Sequence, residues 1–184
     1  MESGASLEAQ AATGDRAAFS ALMTASKGDL HRFVRRYIGD DEEAYDLVQE
    51  TYASAWLAIH RYDPDRSFAT WLRAIAVNKC RDWGRKRTVR RVIRGVMGLD
   101  APEAMAVGDG AATAEERLDE DRRRAALDRA ISVLPDHLKA PLLLSALEGR
   151  SHAEIALIVG ATPKAVETRV ARARARLAVA LRAL

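Results

Sequence analysis

Apolar residues recur at helical spacing along three stretches of the first half of the chain. The spacing predicts helices over about 15–38, 42–60 and 67–87. Gly39 and Pro64 interrupt the pattern, since glycine ends helices and proline disfavours helical backbone at the preceding residue. Three helices of this length can enclose a small core, so residues 1–87 form the first predicted domain.

The sustained apolar pattern is absent between residues 88 and 121. This segment mixes glycine, alanine and acidic residues, with a few apolar side chains near its start. Such composition lacks the apolar face that a packed helix needs, and we therefore expect a flexible linker over residues 88–121.

Helical spacing returns at about residue 122, and two short helices near the end have clear starts. Ser151 followed by Glu154 fits a capping box, in which the serine bonds forward and the glutamate bonds back. Gly160 ends that helix, Thr162 can cap the next, and Pro163 suits its first position. A short helix, a glycine turn and a basic helix form the layout of a helix-turn-helix. The predicted fold is therefore all-α, with two small helical domains joined by a flexible linker and a helix-turn-helix in the C-terminal domain, residues 122–184.

The last helix separates into two faces at about 100° per residue. Its apolar stripe consists of Val166, Val170, Ala173, Leu177, Leu181 and Leu184. The opposite face carries Lys164, Thr168, Ala171, Arg172 and Ala175, with Arg169 and Arg176 on one border and Glu167 on the other. Small side chains let such a face approach a major groove, where Thr168 and Arg172 reach base edges and bordering arginines hold phosphates. The alternative is a solvated amphipathic helix that ends a bundle.

Charge is unevenly distributed over these blocks. The net charge is +3, but residues 1–87 are balanced, residues 88–121 carry −4 and residues 122–184 carry +7. A basic C-terminal block suits a polyanion. The run "NKCRDWGRKRTVRRVIR", residues 78–94, is basic and follows aromatic residues, which is typical either of single-stranded nucleic acid binding or of a solvated face.

The predicted second helix has the opposite sign. Residues 40–50 contain six acidic side chains and no lysine or arginine. Acids in the first turn complement the helix dipole, which explains some of them. The excess beyond the first turn suggests a basic protein partner.

Several function classes are disfavoured by composition. No apolar run approaches the roughly 18 residues of a membrane span, and "MESGASLEAQ" is acidic where a signal peptide is basic, so we expect a cytoplasmic protein without membrane insertion. Cys80 is the only cysteine, and the four histidines are scattered. With no glycine-rich phosphate loop either, we expect no enzyme, no metal and no cofactor.

Three long motifs together resemble one family. They are "YDLVQETYASAW", "YDPDRSFATWLRAIAVNKCRDWGRKR" and "LPDHLKAPLLLSALEGRSHAEIALIVGATPKAVETRVARARARL". In order and spacing they are similar to the extracytoplasmic-function class of bacterial sigma factors, the small two-domain promoter-recognition subunits of RNA polymerase. The resemblance covers roughly residues 15–90 and 122–180.

The resemblance implies a role for each motif. It implies an alternative sigma factor that binds bacterial core RNA polymerase and promoter DNA, in a stress response, under the control of an anti-sigma factor. Polymerase docking would fall to Asp46, Gln49 and Glu50. Capture of a flipped minus-ten base would fall to Tyr62, Arg66, Ser67 and Phe68, with Asn78 reading further bases. The minus-thirty-five readers would be Lys164, Glu167, Thr168, Ala171 and Arg172, with Arg169 and Arg176 on phosphates.

Two residues depart from the family pattern. Tyr45 stands where relatives often have an acid, which bears on docking strength. Glu167 stands where many have lysine or arginine. A carboxylate accepts from cytosine N4 and repels phosphate, so we expect a different minus-thirty-five preference.

Two other hypotheses stay open at the level of sequence. A stand-alone helix-turn-helix regulator would bind duplex DNA without polymerase, and as a homodimer would seek a palindrome. A helical protein-interaction adaptor would show little salt-dependent affinity for DNA.

Overall fold

The computed structural model describes residues 6–96 and 114–182, and all regular elements within them are helical. The prediction of an all-α fold is confirmed. None of the helices in these two ranges has the length and apolar character needed to cross a membrane. In chain order the helices are α1 (Leu7–Ala12), α2 (Arg16–Ile38), α3 (Asp41–Ala58), α4 (Phe68–Val96), α5 (Ala114–Ser132), α6 (Asp136–Glu148), α7 (His152–Val159) and α8 (Pro163–Arg182), with a 3-10 turn at Ile59–Arg61 after α3.

Local chemistry fixes the ends of the first long helices. The carboxylate of Asp15 accepts from the backbone N–H groups of Ala17 and Ala18 at the start of α2. Gly39 ends that helix in the left-handed region with φ 79°, where glycine avoids the strain of a Cβ. Asp40 then accepts from the backbone N–H of Glu43 at 2.9 Å and begins α3. The predicted interruption at Gly39 therefore lies where a helix ends.

Helix continues into both ends of the segment predicted as a linker. Helix α4 runs to Val96 rather than ending near residue 87, and α5 begins at Ala114 rather than near residue 122. Residues 88–94 contain neither glycine nor proline, and residues 114–121 are mostly alanine, glutamate, arginine and leucine, which are strong helix formers. The remainder of the predicted linker, residues 97–113, lies outside the described residues.

The N-terminal and C-terminal helices pack directly on one another. Helix α4 packs against α7, and α2 packs against α5 and α6. One apolar core runs through both sets, from Phe33 and Leu72 to Ile155 and Val166. The two predicted domains are therefore joined by buried apolar contact as well as by the chain.

Polar contacts reinforce this packing. Arg36 of α2 pairs with Asp128 of α5. The hydroxyl of Tyr37 donates to Asp136 Oδ1 of α6 at 3.0 Å. On the other side of the contact, Arg73 of α4 pairs with Glu148 at the end of α6. Each pair links a helix before residue 97 to one after residue 113, so polar and apolar contacts favour the same arrangement.

Candidate nucleic-acid interface

Helix α8 is held by the turn that the sequence predicts. Ser151 Oγ accepts from Glu154 N–H at 3.2 Å, and Glu154 Oε2 accepts from Ser151 N–H at 2.9 Å, so the capping box is present. Gly160, with φ 66°, ends α7, and Thr162 Oγ1 accepts from Ala165 N–H at the start of α8. The capped short helix, glycine turn and basic helix match the predicted helix-turn-helix.

The predicted apolar stripe of α8 is buried over the first three turns and not toward the end of the helix, where Leu177 is half-buried, Leu181 is 41% exposed and Leu184 lies outside the described residues. Val166, Val170 and Ala173 are at most 3% exposed and join the apolar core. The five predicted minus-thirty-five readers are all exposed: Lys164, Glu167, Thr168, Ala171 and Arg172. Of the two predicted phosphate contacts, Arg176 is exposed and Arg169 is half-buried. The packing of α8 on its neighbours leaves the candidate reading face open to solvent.

Within this face, Glu167 does not act alone. Lys164 Nζ donates to Glu167 Oε2 at 2.8 Å, and Thr168 Oγ1 donates to the Lys164 carbonyl oxygen at 3.0 Å. The hydrogen bond from Lys164 and its charge lower the pKa of Glu167. A glutamate is already ionised at neutral pH, and the lowered pKa keeps this carboxylate ionised in more acidic solution as well, so it acts only as an acceptor toward a base edge.

The candidate minus-ten residues divide into two groups. Arg66, Ser67 and Asn78 are exposed, whereas Tyr62 and Phe68 are only 4% and 5% exposed. The Tyr62 ring lies 5.0 Å from that of Trp71 and 5.6 Å from that of Phe68. In this arrangement both rings belong to an aromatic core cluster and present no open face for stacking.

Tyr62 nevertheless shapes the loop that precedes α4. Its hydroxyl donates to the carbonyl oxygen of Arg66 at 2.5 Å, which ties the start of the loop to its end. Burial raises the pKa of Tyr62 to about 12, so the phenol keeps its proton and remains a donor. The loop thus leaves Arg66 and Ser67 exposed above the buried rings of Tyr62 and Phe68.

A cavity of about 790 Å³ lies beside this loop, where α2, α4 and α6 meet. Arg66 and Ser67 line it together with Arg73, Glu148 and Arg150. The last three were not predicted as functional. Arg73 carried a signal in the sequence, since it is a cation among apolar residues on the inner side of a helix. Asn78 does not line this cavity.

The predicted docking residues share the solvent side of α3. Asp46, Gln49 and Glu50 are exposed, whereas Leu47 and Val48 between them are buried. Glu50 Oε2 lies 3.5 Å from Lys79 Nζ of α4, which partly offsets its charge. Tyr45 is 51% exposed and Leu57 is 84% exposed, so large apolar side chains accompany the acids.

Comparisons with known proteins identify the family. The sequence matches the family models for Sigma-70 region 2 over residues 22–94 and for Sigma-70, region 4 over residues 116–177. It is 34% identical to the RNA polymerase sigma factor CnrH of Cupriavidus metallidurans over 176 residues, which cover 95% of this chain and 92% of that protein. It is 36% identical to the ECF RNA polymerase sigma factor SigC of Mycobacterium tuberculosis over 174 residues, covering 94% and 88%.

Solved structures show the same likeness. The structure of CnrH in complex with the cytosolic domain of CnrY matches with a TM-score of 0.69 and 30% identity, covering 96% of each chain. The sigma factor RpoE of Bartonella quintana, in complex with the anti-sigma factor NepR, matches with a TM-score of 0.67 and 25% identity, covering 89% of this chain and 96% of that one. This similarity over nearly the whole length, together with the exposed basic helix α8 and the acidic helix α3, shows that the chain belongs to the extracytoplasmic-function family of bacterial RNA polymerase sigma factors.

Proposed function

We propose that this sigma factor binds core RNA polymerase through the exposed side of α3 and reads its promoter at two separate surfaces. The single observation that carries this assignment is the open face of α8, where all five candidate readers are exposed while Val166 and Val170 are buried. Packing alone gives no reason for a face that combines small side chains with flanking arginines. Major-groove binding gives one.

At the minus-thirty-five element, the Lys164–Glu167 pair acts as one recognition unit. In the free protein the lysine is held by the carboxylate at 2.8 Å. Near DNA, Lys164 turns to a guanine or a phosphate, and Glu167 accepts from a cytosine amino group. Arg172 and Thr168 supply the remaining base contacts, while Arg169 and Arg176 set the position of the helix on phosphates.

At the minus-ten element, the loop before α4 is the base-capture site. Arg66 and Ser67 make the first contacts because both are exposed. Phe68 lines the cavity and the Tyr62 ring packs against it, and the loop must move outward before either ring stacks on a flipped base. Asn78 reads a further base from the exposed side of α4.

Docking to polymerase uses Asp46, Gln49 and Glu50, whose side chains provide acceptors for a basic surface. Tyr45 and Leu57 supply apolar area on the same exposed side of the helix. The departure at Tyr45 from the acid common among relatives replaces one charge contact with an amphipathic ring, which suits interfaces.

An anti-sigma factor controls this activity. Support comes from the relatives, since CnrH was solved with the cytosolic domain of CnrY and RpoE was solved with NepR. A protein from the same genome that binds this chain should abolish promoter-dependent transcription in a purified system. A binding partner that leaves transcription unchanged would exclude that protein as an anti-sigma factor.

Reconstituted transcription tests the function. Purified chain is mixed with sigma-free bacterial core polymerase and a library of promoter fragments, and the transcripts are sequenced. We expect initiation at defined sites only when the chain is present. Absence of chain-dependent initiation at every salt concentration would overturn the proposal.

A further inference from the structure

Arg73 is a deeply buried cation at the contact between the N-terminal and C-terminal helices. Its side chain is only 4% exposed, and its guanidinium lies 5.6 Å from the centre of the Phe33 ring. An arginine costs much to bury unless an anion satisfies its fork of donors. Its anion is Glu148, the last residue of α6.

Glu148 is held like a small bound anion. One carboxylate oxygen accepts from Arg73 Nε, and the other accepts from Arg150 Nε at 2.7 Å. Arg150 Nη1 donates in turn to Thr70 Oγ1 of α4 at 3.2 Å. Two arginines therefore enclose one carboxylate, which is the arrangement that proteins also use for phosphate.

This site opens onto the cavity beside the base-capture loop. Arg66 and Ser67 line the same cavity, and Arg32 adds a further cation. The acidic residues that line the cavity, apart from Glu148, are Glu8, Asp29 and Asp65. Of these, Asp29 pairs with Arg32. The side of α4 that Glu148 covers is therefore continuous with the exposed loop that would receive an unpaired base.

We propose that Arg73 is a binding site for a backbone phosphate of the unpaired promoter strand, and that Glu148 occupies this site in the packed arrangement. This inference rests on the proposed function of the neighbouring loop. When the C-terminal helices separate from α4, the carboxylate leaves, and the guanidinium is exposed on α4 beside the loop. A phosphate then takes the place of the carboxylate.

Two substitutions break the same ion pair and distinguish phosphate binding at Arg73 from a general effect of separating the C-terminal helices from α4. Glu148→Gln removes the competing anion and keeps Arg73, whereas Arg73→Gln removes the site itself. The probe is a fluorescein-labelled single-stranded DNA of mixed sequence, titrated with the full chain and followed by anisotropy. Glu42→Gln, which removes one negative charge from the exposed first turn of α3, controls for the change in net charge.

We expect Glu148→Gln to bind the oligonucleotide roughly three- to tenfold more tightly than the wild type, the effect of one additional charge-assisted contact. Arg73→Gln should show no gain, and Glu148→Gln with Arg73→Gln should lose the gain. The plot of log affinity against log salt should be steeper for Glu148→Gln by about 0.7, the value for one additional phosphate contact on a single strand.

Equal gains for Arg73→Gln and Glu148→Gln would overturn the proposal, since opening alone would then explain both. A gain for an oligoglutamate peptide but not for DNA would also overturn it and assign the site to an acidic protein segment. Circular dichroism verifies folding of each variant. If Arg73→Gln does not fold, Arg73→Lys takes its place; it keeps the charge, loses the fork, and should lose most of the gain. These outcomes do not depend on transcription, so the proposed function stands or falls separately in the reconstituted assay.

Discussion

Single residues on α8 are proposed to decide which promoter is read. Glu167 is the only acid on this helix, and it is ionised near neutral pH, with its pKa lowered further by Lys164. Its pairing with Lys164 means that a change at either residue alters the contacts available to the other. Sequence specificity is therefore expected to depend on the pair rather than on either side chain alone.

Replacing Glu167 by lysine should change the preferred minus-thirty-five sequence. The substitution removes an acceptor for cytosine N4 and adds a donor for guanine, a change worth about 1–3 kcal/mol of discrimination at one base pair. Selection of binding sites from a randomised duplex measures the preference. An unchanged preference would show that Glu167 does not face a base.

Ser151 tests the start of α7 at the same scale. Ser151→Ala removes the acceptor for the Glu154 N–H, and we expect a loss of about 1 kcal/mol in the free energy of unfolding. Urea denaturation measures this loss. Ser20→Ala, an exposed serine inside α2, is the matched control and should cost nothing, because alanine favours helix interiors. An equal effect at both positions would contradict a capping role.

The capping box also predicts a dependence on pH. Hydrogen bonds from the side chain and backbone of Ser151 lower the pKa of Glu154 below its unfolded value. Its stabilising effect is therefore fully present above the unfolded pKa and is lost as pH falls through the lowered one. The difference in stability between wild type and Glu154→Gln should accordingly shrink on acidification through that range, measured by urea denaturation at several pH values. A difference that stays constant would contradict this reading.

At the scale of the elements, the sequence predicts those helix ends that are determined by contacts between residues close together in the chain. Asp15, Gly39 and Ser151 mark helix ends because side-chain caps and positive φ act within a few residues. Helix α1 was not predicted, since six residues are too few to display an apolar stripe. The partner of Arg73 and the burial of Tyr62 could not be predicted either. Both depend on which helices pack together in the folded chain, whereas the periodicity of the sequence shows only which face of each helix is apolar.

The exposed side of α3 should contribute to polymerase binding. Replacing Asp46, Gln49 and Glu50 together by alanine removes its central acceptors, and we expect the affinity for core polymerase to fall at least tenfold. Fluorescence anisotropy of labelled chain measures the affinity. Glu42→Gln lies in the first turn of the same helix and should bind normally. Wild-type affinity of the triple variant would contradict a docking role for this surface.

At the scale of the whole molecule, the packed arrangement cannot engage both promoter elements. The two elements are about 25 base pairs apart, as their names state, which is roughly 85 Å of straight duplex at 3.4 Å per base pair. A compact chain of this length has a radius of gyration of about 16 Å and is roughly 40 Å across. If α8 and the loop before α4 read the two elements as proposed, we expect the contacts between α4 and α7, and between α2 and α6, to separate when promoter and polymerase are bound.

Fluorescence resonance energy transfer between two dyes measures this separation. Ala21 of α2 and Val133, which follows α5, are both exposed and lie outside the residues proposed to bind promoter or polymerase; they are suitable cysteine positions once Cys80, which is buried, is replaced by alanine. We expect high transfer efficiency in the free chain and a clear decrease with polymerase and promoter together. Unchanged efficiency in the complex would contradict the opening of this interface.

The most direct test of promoter recognition at two surfaces is the alignment of sequences upstream of the start sites that this chain selects on core polymerase. If α8 and the loop before α4 each read one promoter element, the aligned sequences should contain two conserved blocks. The centres of these blocks should lie about 25 base pairs apart along the duplex. The upstream block should change in Glu167→Lys, and the downstream block should stay the same. A single block, a palindrome, or start sites that do not depend on the chain would contradict the account.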